Sequence, residues 1–380
     1  MRPQRSIITA AFAVLVLFSL TAAAVEAEFT ALFGTQTNGA VFDDLNVFLV
    51  GQGSPAQSVR IVNLGWEAAS KNPLSAQLAG ALEAWQVSGA VPVLAWMPYA
   101  FNDWAAPNPN QIIASGGYDG YLDAFFSELS AGFVFSQIPA RRIYIEFAPA
   151  PNGNWFPWSP NCPGCSGNGQ NIGQTATSYV DMYRYVVAFS RRPKYNLTAD
   201  TVQWIFDVAT YDANGPPSIY YPGDNHTDWT GVTGANYGTT LNGNSWLTPQ
   251  QVVGAQITAL RAIAPSKPVA MLEVSSVSIP NGVEAKGAWL QELVSTVVSN
   301  SAGAIRMVGL ANEGAGPSDL AVFGGARGTS LWTVPFPDGG AYWTFDGLAA
   351  ALSNATDAVR YTAMDQSNAR LISDAAFRGG

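Results

Sequence analysis

The chain has 380 residues, of which only 12% are charged, and a net charge of −9. Without a basic stripe, nucleic acid is not the partner expected. One histidine and two cysteines exclude a zinc hydrolase and a Cys–His nucleophile system.

In chain order, Arg2 and Arg5 precede an apolar run from Ile7 to Val25 and a small-residue site at Val25-Glu26-Ala27. This pattern predicts a signal peptide over 1–27, cut before Glu28, and a secreted, extracellular protein; an uncleaved membrane anchor is the alternative. The remainder divides into 28–350, one folded unit, and 351–380, a C-terminal tail that follows a closing helix over Phe345 to Leu352. Within the folded unit, short apolar strands alternate with amphipathic helices. Strands are predicted over Ala31 to Gly34, Val59 to Leu64, Val91 to Trp96, Arg142 to Phe147, Val202 to Phe206, Asp228 to Thr233, Pro268 to Val274 and Ile305 to Leu310. Helices are predicted over Pro73 to Ser88, Tyr118 to Gly132, Thr177 to Ser190, Pro249 to Ile263 and Lys286 to Val298. Strands apolar on both faces imply a parallel sheet. Eight β/α units in one chain imply an α/β fold of the TIM (β/α)8 barrel type, a single domain after the signal peptide. A doubly wound open sheet is the alternative, but no Gly-rich dinucleotide turn follows an early strand.

Cys162 and Cys165, two ligands short of a structural zinc site, are expected to close a small loop disulfide. Asn196, Asn225 and Asn354 head glycosylation sequons. No cofactor is implied.

In such a barrel the working residues stand at the carboxyl ends of the strands. These are Trp96, Ala150 with Asn152, Asp207, Asn236 with Tyr237, Glu273, and Asn312 with Glu313. Glu273 is singled out because a carboxylate inside the apolar strand PVAMLEVSS is costly unless it is paired or functional. The stretch IYIEFAPAPNGNWFPW, Ile143 to Trp158, reads as a buried strand entering a loop with a polar handle, Asn152, and indole faces at Trp155 and Trp158. Indoles stack on the C–H faces of sugar rings.

The pieces LFG (32–34), VPVLAW (91–96), GGYDGYLDAFFSEL (116–129), NGNWFPW (152–158), YVDMYRYV (179–186), VQWIF, YYPGDNHTDWTG, KPVAMLE (267–273) and Lys286 with Trp289 follow one another in an order that resembles glycoside hydrolase family 26, secreted endo-β-mannanases and related β-glycanases. The resemblance implies a retaining mechanism with two glutamates, an acid/base after the fourth strand and a nucleophile ending the seventh. The nucleophile position matches Glu273. The acid/base position falls on Ala150, the family's neighbouring histidine on Pro149, its fourth-strand arginine on Glu146, and its active-site tyrosine on Ala235, two residues before Tyr237. A methyl group transfers no proton, so impaired catalysis is expected. Glu313 is the candidate rescue acid, although a loop or capping role is the simpler reading. Glu146, deeper in the barrel, is expected to pair with a cation.

Three functions follow as alternatives. The first is a glycosidase acting on β-mannan or a related β-glycan. The second is a degenerate barrel that holds a polysaccharide or oligosaccharide through Trp96, Asn152, Trp155, Trp158 and Tyr237. The third is an extracellular-matrix interaction protein. The partner expected is a glycan rather than nucleic acid or membrane, and the expected state is a monomer.

Overall fold

A computed structural model describes residues 29–36, 39–66, 78, 90–98, 108–134, 142–163, 165, 173–241, 244–298, 300–301, 303–314, 318–335, 339–353, 359–361 and 374–380. The segment expected to be a signal peptide, most of the helix expected over 73–88, and Asn354 lie outside the described residues.

Eight parallel strands close into a ring: β1 (Phe29–Gln36), β2 (Val59–Gly65), β3 (Val91–Met97), β4 (Ile143–Phe147), β5 (Val202–Ala209), β6 (Trp229–Asn236), β7 (Val269–Ser276) and β8 (Ile305–Ala311). They pair in chain order, and β1 pairs β8 with Leu32 opposite Met307 and Gln36 opposite Ala311. A closed ring of parallel strands with outer helices is the TIM-barrel architecture; the open-sheet alternative is excluded.

The two faces of each strand separate cleanly, because successive side chains point to opposite sides. Leu32, Val59, Ile61, Val93, Ala95, Ile205 and Leu272 fill the barrel interior. Phe33, Leu94, Trp96, Phe147, Phe206 and Val308 face the surrounding helices. Those helices are α1 (Gly39–Gly51), α2 (Pro109–Ala114), α3 (Asp119–Glu128), α4 (Ala176–Ser190), α5 (Pro249–Ile263), α6 (Val283–Glu292) and α7 (Asp346–Ser353). Two start at reciprocal caps. Thr175 accepts from the Ser178 amide while Ser178 Oγ accepts from the Thr175 amide, and Thr248 and Gln251 do the same ahead of Pro249. Each cap satisfies two amides that the first turn leaves without helical partners.

After β8 the chain makes an antiparallel hairpin, β9 (Ser330–Thr333) with β10 (Ala341–Thr344). Its inner rings, Trp332 and Tyr342, pack beside Phe323, and Trp332 also meets Phe48 of α1. The last described segments dock on the barrel. β11 (Val359–Tyr361) pairs with β1. α8 (Asp374–Arg378) puts Phe377 against Tyr144, ring centroids 4.8 Å apart, and the Tyr144 hydroxyl donates to the Phe377 carbonyl at 2.9 Å. The 351–380 segment therefore supplies part of the interior cluster. Among the described residues, no helix is long and apolar enough to cross a membrane.

One irregularity bears on the chemistry. From Met271 to Val274, three steps of β7 run against two of β8, Val308 to Leu310. From Leu272 to Ser275, three steps run against two of β6. Both neighbours therefore locate one extra residue in the same place, and Glu273 there has φ +51. This is a β-bulge, which bends the strand and re-aims a side chain. Leu272 points into the barrel and Val274 out to the helices, so the ladder continues on either side of Glu273.

Candidate active site at the barrel mouth

The bulge sets Glu273 at the carboxyl end of the ring, half-buried. Its carboxyl is pushed up to about 7, by burial first and by the charge of Glu313 second. Glu313 follows β8, is exposed, and accepts a hydrogen bond from the Gln36 amide nitrogen at 3.1 Å. Tyr237, just past β6 and half-buried, senses both carboxylates; its phenol is raised by burial, then by Glu273 and Glu313. Three of the expected site residues, Glu273, Glu313 and Tyr237, thus form one electrostatic cluster. Gln36, which the sequence reading missed, belongs with them.

The loop that carries Glu313 is fastened from within. Lys286 of α6, fully buried, donates to the carbonyls of Asp319 at 3.0 Å and Ala321 at 2.7 Å. Asp319 accepts from the amides of Ala321 at 3.0 Å and Ala326 at 2.7 Å. The Asn312 side chain accepts from the amides of Val322 and Phe323, both at 2.8 Å. Burial lowers the Lys286 ammonium to about 8, against the opposing pull of Asp319.

Below the mouth, Glu146 of β4 and Asp207 of β5 face each other inside the barrel, both buried. Both carboxyls are raised well above the ordinary range, by burial first; for Glu146 the neighbouring Asp207 and Glu273 charges add to it. The Thr233 hydroxyl and the Ala150 and Val208 amides lie near Asp207 and pull the other way, but none closes to a well-formed hydrogen bond. Burial and the closeness of the two carboxyls both favour the protonated form of the pair. A Cβ on Gly231 would lie 2.8 Å from Asp207 Oδ1, so glycine on β6 makes the room for this carboxyl. The cation expected beside Glu146 is corrected: its partner is a second acid.

The aromatic and polar binding residues divide. Trp96 faces the helices, stacked on Phe125 at 4.1 Å and beside Trp66 at 5.2 Å. Trp158 is buried, stacked on Phe156 at 4.3 Å, with its N–H donating to the Pro149 carbonyl at 2.8 Å. Neither offers a face to a ligand, which corrects their expected role. Strand parity held the signal for Trp96: it shares its side with Leu94, opposite the small inward residues Val93 and Ala95. Asn152 is also corrected. It is buried, and its amide bonds the Ala209 carbonyl and amide, both at 2.8 Å, and Asp212 at 2.6 Å. Trp155 remains open, 45% exposed. Ala150, at φ +53, is buried. Asn236 is engaged with Ser276, Gly238 and Leu247. The Cys162–Cys165 disulfide closes the far end of the β4 loop. Among the described residues, no group of three or more His, Cys, Asp or Glu is placed to hold a metal.

Solved structures share this barrel. An endo-β-1,4-mannanase from Cellulomonas fimi, described as a glycoside hydrolase family 26 mannanase, superposes with a TM-score of 0.54 at 14% identity, over 91% of this chain and 73% of that one. The mannanase BCman of Bacillus subtilis gives 0.50 at 14%, over 78% and 83%. The fold is that of the family 26 mannanases. In sequence, endoglucanase H of Acetivibrio thermocellus is 25% identical over 213 residues, 55% of this chain. The chain matches only 20% of that protein's length. No protein-family model matches.

Proposed function

We propose that the protein acts on a neutral β-linked glycan, of the mannan or glucan type, laid across the carboxyl end of the barrel, and that it hydrolyses it slowly. The observation that carries this reading is the Glu273–Glu313 pair, in which one carboxyl is held protonated near neutrality by burial and by the charge of the other. A glycosidase needs that asymmetry: one acid to protonate the leaving oxygen and one carboxylate to meet the developing positive charge at C1. With alanine at position 150, where the family resemblance places the acid, the proton source is reassigned to Glu273. Its carboxyl gives its proton to the glycosidic oxygen as the C1–O bond breaks. Glu313 stabilises the cationic centre; water then adds to C1, and the proton it loses returns to the Glu273 carboxylate and restores the acid. Glu273 is therefore the acid here rather than the nucleophile suggested by the resemblance. The proposal includes secretion and a monomeric state.

The second reading, glycan binding without turnover, draws on Ala150. It is buried, and its amide lies beside Asp207, so nothing at the end of β4 transfers a proton. Incubation with β-1,4-manno- and gluco-oligosaccharides, followed by reducing-end release, separates the two. Slow release that falls as pH rises through about 7, and is lost in Glu273→Gln and Glu313→Gln, is the expected result. Binding with no release at any pH from 5 to 8 removes the hydrolytic step and leaves the binding reading.

A further inference from the structure

Gln36 is the last residue of β1 and stands on an anchored strand end. Its place in the ring is fixed on both sides, opposite Ile61 of β2 and Ala311 of β8. The residue before it, Thr35, donates its hydroxyl to Gln57 Oε1 at 2.6 Å. Gln57 in turn donates to Asn46 Oδ1 of α1, from its backbone amide at 2.9 Å and from its side chain at 3.1 Å. Alternation along β1 puts Gln36 on the side of Leu32, which lies in the barrel interior, and Gln36 is only 7% exposed.

A buried amide costs free energy unless its hydrogen bonds are made. This one is spent on the candidate site: Gln36 Nε2 donates to Glu313 Oε1 at 3.1 Å. Glu313 lies two residues beyond Ala311, so the bond reaches forward from β1, across the end of β8, to the loop. On the loop side the Glu313 carbonyl accepts from the Leu320 amide at 2.9 Å. Glu313 is thus held at its backbone and at its tip, although it is exposed.

The chemistry of the donor matters as much as its place. The titratable groups around Glu273 are Glu313 after β8, Tyr237 after β6 and, deeper, Asp207 of β5 and Glu146 of β4. None of these is a cation. A lysine or arginine at position 36 would bond Glu313 and also cancel the charge that Glu273 faces. An apolar residue there would leave the charge but release the carboxylate to swing into water. A neutral donor holds the carboxylate and keeps its charge.

We infer that Gln36 is a positioning residue for Glu313: its uncharged amide holds that carboxylate beside Glu273 with its charge intact, and so keeps Glu273 the member of the pair that carries the proton. The inference rests on the proposed hydrolytic reading and adds a third residue to its acid pair. Gln36 touches no reacting atom in that scheme and acts through Glu313.

The test is a carboxyl 13C titration of the full chain, Gln36→Leu and Gln36→Lys, with the Glu273 signal assigned by its loss in Glu273→Gln. It is read beside the pH dependence of reducing-end release from β-1,4-linked oligosaccharides. Leucine matches glutamine in size and lysine keeps a donor at its tip, so the two variants bracket any loss of packing. Glu273 of the wild type should titrate at about 7. Both variants should move its midpoint, and the alkaline limb of release, to lower pH, and lysine should weaken its hold on the proton about tenfold. Gln36→Leu should also cut release about tenfold at pH 6 with little change in KM. If release falls equally at every pH while the Glu273 midpoint stays, Gln36 only packs, and the inference is wrong. A midpoint unmoved in both variants overturns it whether or not the protein turns over. If the midpoints move as expected and the wild type releases nothing, the hydrolytic reading falls and the coupling of Gln36 to the pair stands.

Discussion

Glu273 keeps its proton to about pH 7 because it is half-withdrawn from water and faces the charge of Glu313. That places a measurable burden on the fold. A carboxyl whose folded value lies above its ordinary 4.5 binds more protons folded than unfolded between the two values. Its stabilisation is complete below about pH 4.5 and is lost as pH rises through 7. The 2.5-unit gap corresponds to at most about 3 kcal/mol. Thermal melts should therefore show Tm falling from pH 4.5 to 8. Glu273→Gln, which cannot ionise, should flatten much of that slope and melt above the wild type at pH 8 while losing turnover. A variant with the full wild-type slope would show that Glu273 titrates like an exposed acid, and the proton-donor role would go with it. Glu146 and Asp207 act in the same direction, since both carboxyls are raised by burial; Glu146→Gln should remove a further part of the fall of Tm with rising pH.

At the scale of elements, the β8 loop decides whether Glu313 stays in place. Lys286 holds two of its carbonyls and Asp319 two of its amides. Lys286→Met leaves buried carbonyls without donors, at about 1–3 kcal/mol each. It should speed amide hydrogen exchange over 318–326 and cut turnover about tenfold with little effect on oligosaccharide affinity. Unchanged exchange in that segment would mean that the loop holds itself. Such loops are also where the sequence was least legible. The eight strands could be read because both faces are apolar, and the helix over 249–263 because Thr248, Pro249 and Gln251 announce its start. The first helix escaped notice because GAVFDDLNVFLVG is apolar on nearly every side, and the β9–β10 hairpin because SLWT and AYWT are too short to show a period. Glu273 was found as a buried acid, but the extra residue that aims it leaves no mark on the alternation. Trp96, Trp155 and Trp158 share one chemistry in the sequence, and only packing separates the core indoles from the exposed one.

At the scale of the whole molecule, α8 packs into one end of the barrel and the candidate site lies at the other. Phe377 enters the interior cluster against Tyr144, which in turn meets Trp229 edge-on at 5.5 Å, and Arg142 lies over the Phe377 ring at 4.9 Å. The interior is thus one packed column from this plug to the layer of Glu146 and Asp207, with the candidate site above it. Removing the plug tests whether that column is a single cooperative body. Phe377→Ala deletes a fully buried ring, a change worth about 3–5 kcal/mol in a rigid core. Docking of the five-residue α8 sets a lower ceiling if the segment can release alone. Denaturant melts should therefore show a loss of about 2–4 kcal/mol with an unchanged m-value if the column is cooperative. A smaller loss, with rapid exchange confined to 374–380, would show the closing helix to be an independent flap. Oligosaccharide affinity should stay at the wild-type value in either case, because the mouth lies at the opposite end of the strands. A parallel fall in affinity would mean that packing at the closed end sets the geometry of Glu273 at the open one.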